Sequence, residues 1–457
     1  MTETPRDRFG QPAGSGDAEV ALRLCRESGA AQVELQFADI TGAVKSVSVP
    51  ARRLEEVLRE GEWFDGSAVE GQAREVESDM YLRPDPATFA LMDPSAEVVC
   101  ARLLCDVVTP DGSAYPGDSR SRLRSILASA ADGGLTYLVA PEIEFFLFPA
   151  GEEGLRLLQD DPSSYFERSR GMSRQAEMEI VAALETMGVS VESSHHEVAS
   201  GQYELDLPLQ PALAAADAIT GLKPAVRELA RQRGLQASFM PKPLQAAAGS
   251  GMHTHQVLLA ADGGRNAFHD DAAGYGLSAA GRRFLAGQLD HAPGLCAVVA
   301  PLVNSYKRLV PGYEAPVAGS WGRHNRSALV RVPATARGMD DALGTRLELR
   351  LPDPSCNPYL AFAAMLAAGL DGLDRELELG PPMEEVEHGY QDVARQTARP
   401  LPASLAEALD ALAADDVLAE ALGGEVLELF RSAKMLEWDG YRRHVSQWEL
   451  DAYLRSY

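Results

Sequence analysis

The chain has 457 residues, 46% of them hydrophobic and 24% charged, enough apolar content for a sizeable core and enough length for two or three domains. Its 42 lysines and arginines stand against 67 aspartates and glutamates, a formal charge of −25. So acidic a surface repels nucleic-acid phosphates and anionic lipid headgroups, and no run reaches the ~18 apolar residues of a membrane-spanning helix, so no nucleic-acid or membrane partner is expected.

The polar, Gly- and Pro-containing residues 1–16 read as a disordered lead-in without a signal peptide. Residues 18–28 follow as a helix with Asp17 as N-cap. Residues 33–38 and 44–49 alternate like strands across a turn and predict a hairpin. A helix over 52–60, a loop over 61–71, and strands over 88–92 and 98–107 complete a small β-rich unit, residues 17–113, closed by a Pro/Gly/Asp stretch at 109–118. In the remainder, 114–457, helices at 120–131, 175–187 and 212–232 alternate with short strands. Ala-rich residues 362–370 form another helix, and the chain from 404 onward is mostly helical. The fold class is α+β. Cys25, Cys100, Cys105, Cys296 and Cys356 are scattered, without a Cys-x-x-Cys pair. That argues against a disulfide framework and for a reducing cytoplasm.

Four segments carry strand-like alternation with unusual polarity. A strand has period two, so Glu142 and Glu144 share one face, as do His253 and His255, Glu204 and Asp206, and the set Arg346, Glu348 and Arg350. One such strand alone is an amphipathic strand with a solvated face. Four together suggest a concave site. Clustered carboxylates repel unless a cation neutralises them, and oxygen-rich ligation with one imidazole suits Mg²⁺ or Mn²⁺ better than zinc. Arg308, Arg326, Arg331, Arg346 and Arg350 supply forks for phosphates and carboxylates in a chain otherwise short of positive charge. Metal plus an arginine cradle is the apparatus of phosphoryl transfer from a nucleotide, yet neither a Walker loop nor a GxGxxG motif occurs.

These residues resemble the type I glutamine synthetase family in ordered blocks from about Asp17 to the C-terminal helices. The blocks are Phe64-Asp65-Gly66-Ser67, Glu142-Ile143-Glu144, and His195-His196-Glu197 with Gly201-Gln202-Tyr203-Glu204. Further on come Gly249-Ser250-Gly251-Met252-His253-Thr254-His255, the flap from Asn304 to Pro316, and Arg346-Leu347-Glu348-Leu349-Arg350. The resemblance implies an N-terminal β-grasp domain and a larger catalytic domain built on a curved antiparallel sheet flanked by helices. It implies an ATP-dependent ligase of nitrogen metabolism that phosphorylates the γ-carboxylate of L-glutamate and joins it to ammonia or an amine. Glu144, Glu197 and Glu204 would hold one Mg²⁺ or Mn²⁺, and Glu142, His253 and Glu348 a second. Arg326, Arg331 and Arg346 would face the ATP phosphates, with Glu192 and His255 near the nucleotide. Arg308, Arg350 and Gly249 would bind glutamate, and Glu314 would take a proton from the amine. Asp65 would reach a neighbouring subunit's site in a homododecamer of two hexameric rings.

Some positions depart from the family pattern. Ala247 and Ala248 stand where many members have Asp-Asn, and Val257 where Ser is usual. Ala68 replaces a second Ser, Gln72 an aromatic, and Glu378 stands where adenylylated members carry Tyr. The resemblance therefore implies glutamine synthetase first and, second, a relative using a polyamine, ethanolamine or another organic amine. A scaffold without activity would have lost metal ligands, and all six positions are intact.

Overall fold

The computed structural model describes residues 15–69, 79–92, 97–151, 165–168, 171–260, 264–312, 315–334, 344–384 and 399–457. Of the predicted lead-in, residues 1–14 lie outside these. Ser15 and Gly16 already belong to the first helix, Ser15–Ser28, so Asp17 sits in the first helical turn rather than at the cap. A carboxylate there still faces the positive end of the helix dipole.

The predicted hairpin forms from β1 (Gln32–Ala38) and β2 (Val44–Pro50), in register from Gln32 opposite Pro50 to Ala38 opposite Val44. Its turn is fastened by Asp39, whose Oδ1 accepts from the backbone N–H groups of Thr41 and Ala43. The helix over 52–60 is a 3₁₀ turn, Ala51–Arg53, running into an α-helix, Leu54–Glu60. The expected loop over 61–71 is different. It begins with β3 (Glu62–Asp65), paired antiparallel with β4 (Asp79–Pro84), and continues as a 3₁₀ turn, Gly66–Ala68. Acids and glycines around Trp63 and Phe64 mask the strand, which forms because Phe64 buries against Phe37 at 4.9 Å between ring centroids. Gln72 and the side chain of Ala68 lie outside the described residues. The strand expected over 88–92 shortens to β5 (Ala90–Leu91), because Asp85 caps a 3₁₀ turn at Pro86–Thr88. With β6 (Cys100–Val108) the order is β2-β1-β6-β4-β3, and β5 also pairs with β6. Val33, Leu35, Leu82, Leu103 and Val107 fill a core of this domain's own.

The second sheet has ten strands among the described residues: β7 (Leu135–Pro149), β8 (Ser193–His196), β9 (Gln202–Asp206), β10 (Gln210–Pro211), β11 (Leu235–Ser238), β12 (Thr254–Ala260), β13 (Arg265–Asn266), β14 (Trp321–Gly322), β15 (Val330–Arg331) and β16 (Leu347–Leu349). The path is β14-β15-β16-β12-β7-β9-β8; β10 and β11 pair with β7, and β13 with β12. All pairs are antiparallel except β14 with β15. Its apolar face, with Phe145, Tyr203, Leu258 and Leu347, shares one core with the helices Ala212–Gln232, Ala279–Asp290 and Pro358–Asp374. Four helices, Leu405–Ala413, Asp416–Leu422, Gly424–Arg443 and Gln447–Tyr453, make up most of the C-terminal part.

Two contacts are prominent among those that lock the domains together. Buried Arg120 bridges Asp85 and Asp106 of the first domain to Asp217 of the second, each at 2.8 Å. The hairpin turn presses on the second domain at Asn357, whose Nδ2 donates to Asp39 O at 3.1 Å. Gly42, at φ +86°, makes this possible: a Cβ there would lie 2.8 Å from the Asn357 Cα.

Candidate active site

Sheet register gathers the polar residues. Across β7 and β9, Glu142 lies opposite Asp206 and Glu144 opposite Glu204; across β8 and β9, His195 lies opposite Glu204. On the other side, His255 pairs with Glu348, and Glu348 with Arg331. The pairing of β7 continues past the start of β12, since Glu142 N donates to His253 O and Glu144 N to Gly251 O. These residues converge on a cavity of about 950 Å³. Its wall includes Glu142, Glu144, Glu197, Glu204, His253 and Glu348, together with Arg308, Arg326, Arg331, Arg350 and Gly249.

Four groups of donor atoms among the described residues lie close enough to share an ion; besides Glu142, Glu204 and Asp206 on this wall and Asp290, His291 and Asp371, which do not line the cavity, two bear on the expected metal sites. One is Glu142, His253 and Glu348; the other is His195, Glu197 and Glu204. Within each, the ligand atoms fall within 4.8 Å of one another. Glu144 stands beside the second group on the same wall. In the first group, His253 Nδ1 lies 3.3 Å from Glu142 and 4.0 Å from Glu348. Burial, reinforced by the Arg350 charge, lowers the His253 pKa to about 4, so at neutral pH the imidazole keeps a lone pair for a metal. Burial works against the charge of Glu348, but His255 and Arg350 overcome it and hold the carboxyl near 2. Burial likewise opposes the Glu142 charge and is outweighed by His255 and His253.

The second group is overcharged. Burial, then the neighbouring charge of Glu197, raises Glu144 to about 8. Burial, then Glu144, raises Glu204 to about 12. Carboxyls that hold protons at neutral pH only because of burial and one another fit a divalent cation, which would replace those protons. The donor set therefore fits hard cations such as Mg²⁺ or Mn²⁺.

The arginines are held firmly. Arg331 Nη1 donates to Glu348 at 2.6 Å, and Arg350 Nη1 donates to the same carboxylate. Arg308 is 3% exposed and donates to the carbonyls of Leu351 and Arg350 at 2.9 Å each. Arg326 lies 5.5 Å from the centre of the Tyr165 ring. Two glycines make room: a Cβ on Gly249 would meet Pro241 O at 2.4 Å. One on Gly251 would meet Arg308 Nη2 at 2.7 Å and both Glu144 Oε1 and His253 Nε2 at 3.0 Å.

Other expected site residues lie off this wall. His255 stands behind Glu142, its Nε2 at 2.7 Å from Glu142 Oε1. Glu192 is exposed at the approach to β8, and Arg346 is half-buried just before β16. Asp65 sits at the end of β3, where its carboxylate accepts from Ser67 N–H. Glu314 lies outside the described residues. The cavity also has lining to which the sequence assigns no role: Tyr165, Phe166, Arg323 and His324, and, although they stand in quoted blocks or on a shared strand face, His195, Gln202 and Asp206. Gln202 and Asp206 carried a signal, because they share the period-two face of Glu204. Tyr165 and Phe166 lie in a segment without periodicity; Phe166 takes φ +59° and its ring lies 4.6 Å from that of His195.

Carboxylates, an imidazole and arginines around one cavity, in a larger domain fixed to a small mixed-sheet one, suit an enzyme that handles phosphates with divalent metal. Residues 29–110 match the family model for the glutamine synthetase β-grasp domain, and residues 116–453 that for the glutamine synthetase catalytic domain. A glutamine synthetase of Thermus thermophilus is 47% identical over 437 residues, covering 93% of this chain and 96% of the relative. One of Halobacterium salinarum is 44% identical over 431 residues, covering 93% and 94%. Among solved structures, an ADP complex of GmaS, a γ-glutamylmethylamide synthetase, superposes with TM-score 0.84 at 34% identity, covering 95% of this chain and 99% of that one. The chain belongs to the glutamine synthetase family and is an ATP-dependent ligase acting on glutamate. ATP and divalent metal are requirements of that family. No described helix is long and apolar enough to cross a membrane.

Proposed function

We propose that the chain joins L-glutamate to ammonia, driven by ATP, through γ-glutamyl phosphate, yielding L-glutamine. The observation that carries this reading is the meeting of the six expected metal ligands and five arginines on one cavity wall. Identities of 47% and 44% to named glutamine synthetases over nearly the whole chain favour ammonia.

In this reading Glu144, Glu197 and Glu204 hold one Mg²⁺ or Mn²⁺, and Glu142, His253 and Glu348 another. Bound metal would neutralise charge on the transferred phosphoryl group. Arg326, Arg331 and Arg346 orient the ATP phosphates, with Glu192 and His255 toward the nucleotide. Arg308 and Arg350 bind the carboxylates of glutamate beneath the loop of Gly249. Such fixed cations stabilise the charge of an acyl phosphate without reorganising. Glu314 removes a proton from the incoming ammonium so that nitrogen can attack. Asp65 serves the site of a neighbouring subunit in a dodecamer of two six-membered rings. The N-terminal unit is 17–113, the catalytic unit 114–457, and the enzyme works in the cytoplasm.

One observation favours a second reading, an organic amine in place of ammonia. Ala247 and Ala248 line the cavity where many members carry Asp-Asn, and a GmaS shares the fold closely. The deciding measurement is kcat/KM for ammonium against methylamine, ethanolamine, putrescine and spermidine at saturating ATP and glutamate. Ammonium is expected to lead. A preference above about tenfold, or ~1.4 kcal/mol, for any organic amine replaces the first reading by the second.

A further inference from the structure

Gln202 lies in β9, between the cation cluster and the loop that carries Gly249. It is 0% exposed. Its Nε2 donates to Glu144 Oε2 at 2.8 Å and to Gly249 O at 3.1 Å. Its Oε1 accepts from Ala199 N–H at 3.2 Å. These partners fix the orientation of the amide. A flipped amide would set its oxygen against a carboxylate and a carbonyl, and its NH₂ against an N–H.

The geometry divides the work of Glu144. One oxygen is taken by Gln202, while the other lies on the side of Gly251, 3.0 Å from where a Cβ of that glycine would be, near His253 Nε2 and Arg308 Nη2. The same rigid, planar amide grips the carbonyl of Gly249, whose place is set from behind by Pro241 O. Nearby, Ser250 N donates to Pro241 O at 2.9 Å, and Asn304 pairs its side chain with both backbone groups of Lys242. The loop is therefore clamped at several points, and Gln202 joins it directly to Glu144, the carboxylate that the proposed function assigns to a cation.

We propose that Gln202 is a positioning residue that orients Glu144 toward the cation and couples cation binding to glutamate binding at the Gly249 loop. This deepens the ligase reading and rests on it. A carboxylate that rotates to meet a cation pulls on an N–H belonging to the same amide that holds the loop. By linkage, any tightening of glutamate binding by the cation equals the tightening of cation binding by glutamate.

The test is calorimetric titration of Mn²⁺ into the metal-free full chain, with and without saturating L-glutamate and without ATP, so that no turnover enters the readout. Gln202→Met keeps the length and removes both donors; Gln202→Glu keeps an acceptor for Ala199 N–H. In both, Mn²⁺ affinity at the Glu144 cluster should fall ~10–100-fold, the usual effect of losing a hydrogen-bonding support of a metal ligand. Mn²⁺ bound through Glu142, His253 and Glu348 should keep its affinity, which also shows that the variant is folded. The mutual enhancement of Mn²⁺ and glutamate should fall toward one. Unchanged Mn²⁺ affinity and unchanged enhancement in a folded variant would overturn the proposal. Wild-type protein that binds Mn²⁺ but no glutamate would instead overturn the ligase reading, and Gln202 is then judged on Mn²⁺ affinity alone: a drop sustains its role toward Glu144, and no drop ends it.

Discussion

At the scale of single residues, the site is a balance of charges that only a cation completes. Glu144 and Glu204 carry raised pKa values, about 8 and about 12, because burial and then neighbouring carboxylates oppose ionisation. A carboxyl raised on folding contributes its stability in full below its unfolded value. That stability is lost as pH rises through the folded value. The metal-free protein should therefore lose stability above about pH 4.5, where both carboxyls ionise in the unfolded chain but stay protonated in the folded one; Glu144 contributes to this loss up to about pH 8 and Glu204 throughout that range and beyond it. A cation displaces these protons and removes the penalty. Mn²⁺ should accordingly raise the unfolding temperature more at pH 8 than at pH 6, measured by calorimetry against metal-free controls. An equal or smaller rise at pH 8 contradicts the assignment of Glu144 and Glu204 to the cation. The sequence made these carboxylates legible because period two ties side-chain face to residue number. It placed Glu142 beside Glu144 and Glu204 beside Asp206 without knowledge of the neighbouring strands. The same rule already pointed to Gln202, two residues before Glu204, but an amide among carboxylates draws no notice until its hydrogen bonds are seen.

At the scale of elements, long periodic segments were readable and short ones were not. The helix over 212–232 appears with the boundaries that its apolar spacing dictates. By contrast, β3 is four residues long and lies among glycines and acids, and long-range pairing with β4 and the packing of Phe64 on Phe37 make it a strand. His253 shows a different limit. The strand expected to carry both His253 and His255 begins only at Thr254, yet His253 still reaches Glu142, because backbone pairing with β7 extends past the formal strand end. Contacts between distant helices were also invisible in sequence, and His291 is the clearest case. It is 6% exposed, and its two ring nitrogens face Asp415 at 2.7 Å and Asp371 at 2.9 Å. Carboxylates accept only, so both nitrogens must donate and the ring is a cation tying the helix Pro358–Asp374 to the N-cap of the helix Asp416–Leu422. Burial opposes that charge, but the bonds to Asp415 and Asp371 outweigh it and raise the pKa. Arg375 also pairs with Asp371 and Asp290. A raised histidine contributes its stability in full below about pH 6.5 and loses it as pH climbs through the folded value. His291→Gln should destabilise the protein by about 2 kcal/mol at pH 6 and by clearly less at pH 9, measured by urea unfolding. A loss independent of pH would mean that the ring acts by packing alone.

At the scale of the whole molecule, the N-terminal domain raises a question that one chain does not answer. Asp65 ends β3, away from the residues that line the cavity, although the domain is locked to its partner by Arg120 and Asn357. A domain fixed in this way cannot swing its own Asp65 into its own cavity without breaking a buried charge network, which is costly. In the proposed reading Asp65 acts in the site of a neighbour, which requires a head-to-tail interface and, in the proposed assembly, one that closes into a ring. Two inactive variants then become a test. Asp65→Ala subunits retain Glu314, and Glu314→Ala subunits retain Asp65. In randomly mixed rings a site is intact when the subunit giving Asp65 is of the second type and the subunit giving Glu314 is of the first. With equal mixing that is about half of one half, so about a quarter of wild-type activity should return. The mixture should be unfolded and refolded together, its composition verified by native mass spectrometry, and its rate compared with each variant refolded alone. A rate no higher than the average of the two variants, in oligomers shown to be mixed, would argue against a site shared between subunits.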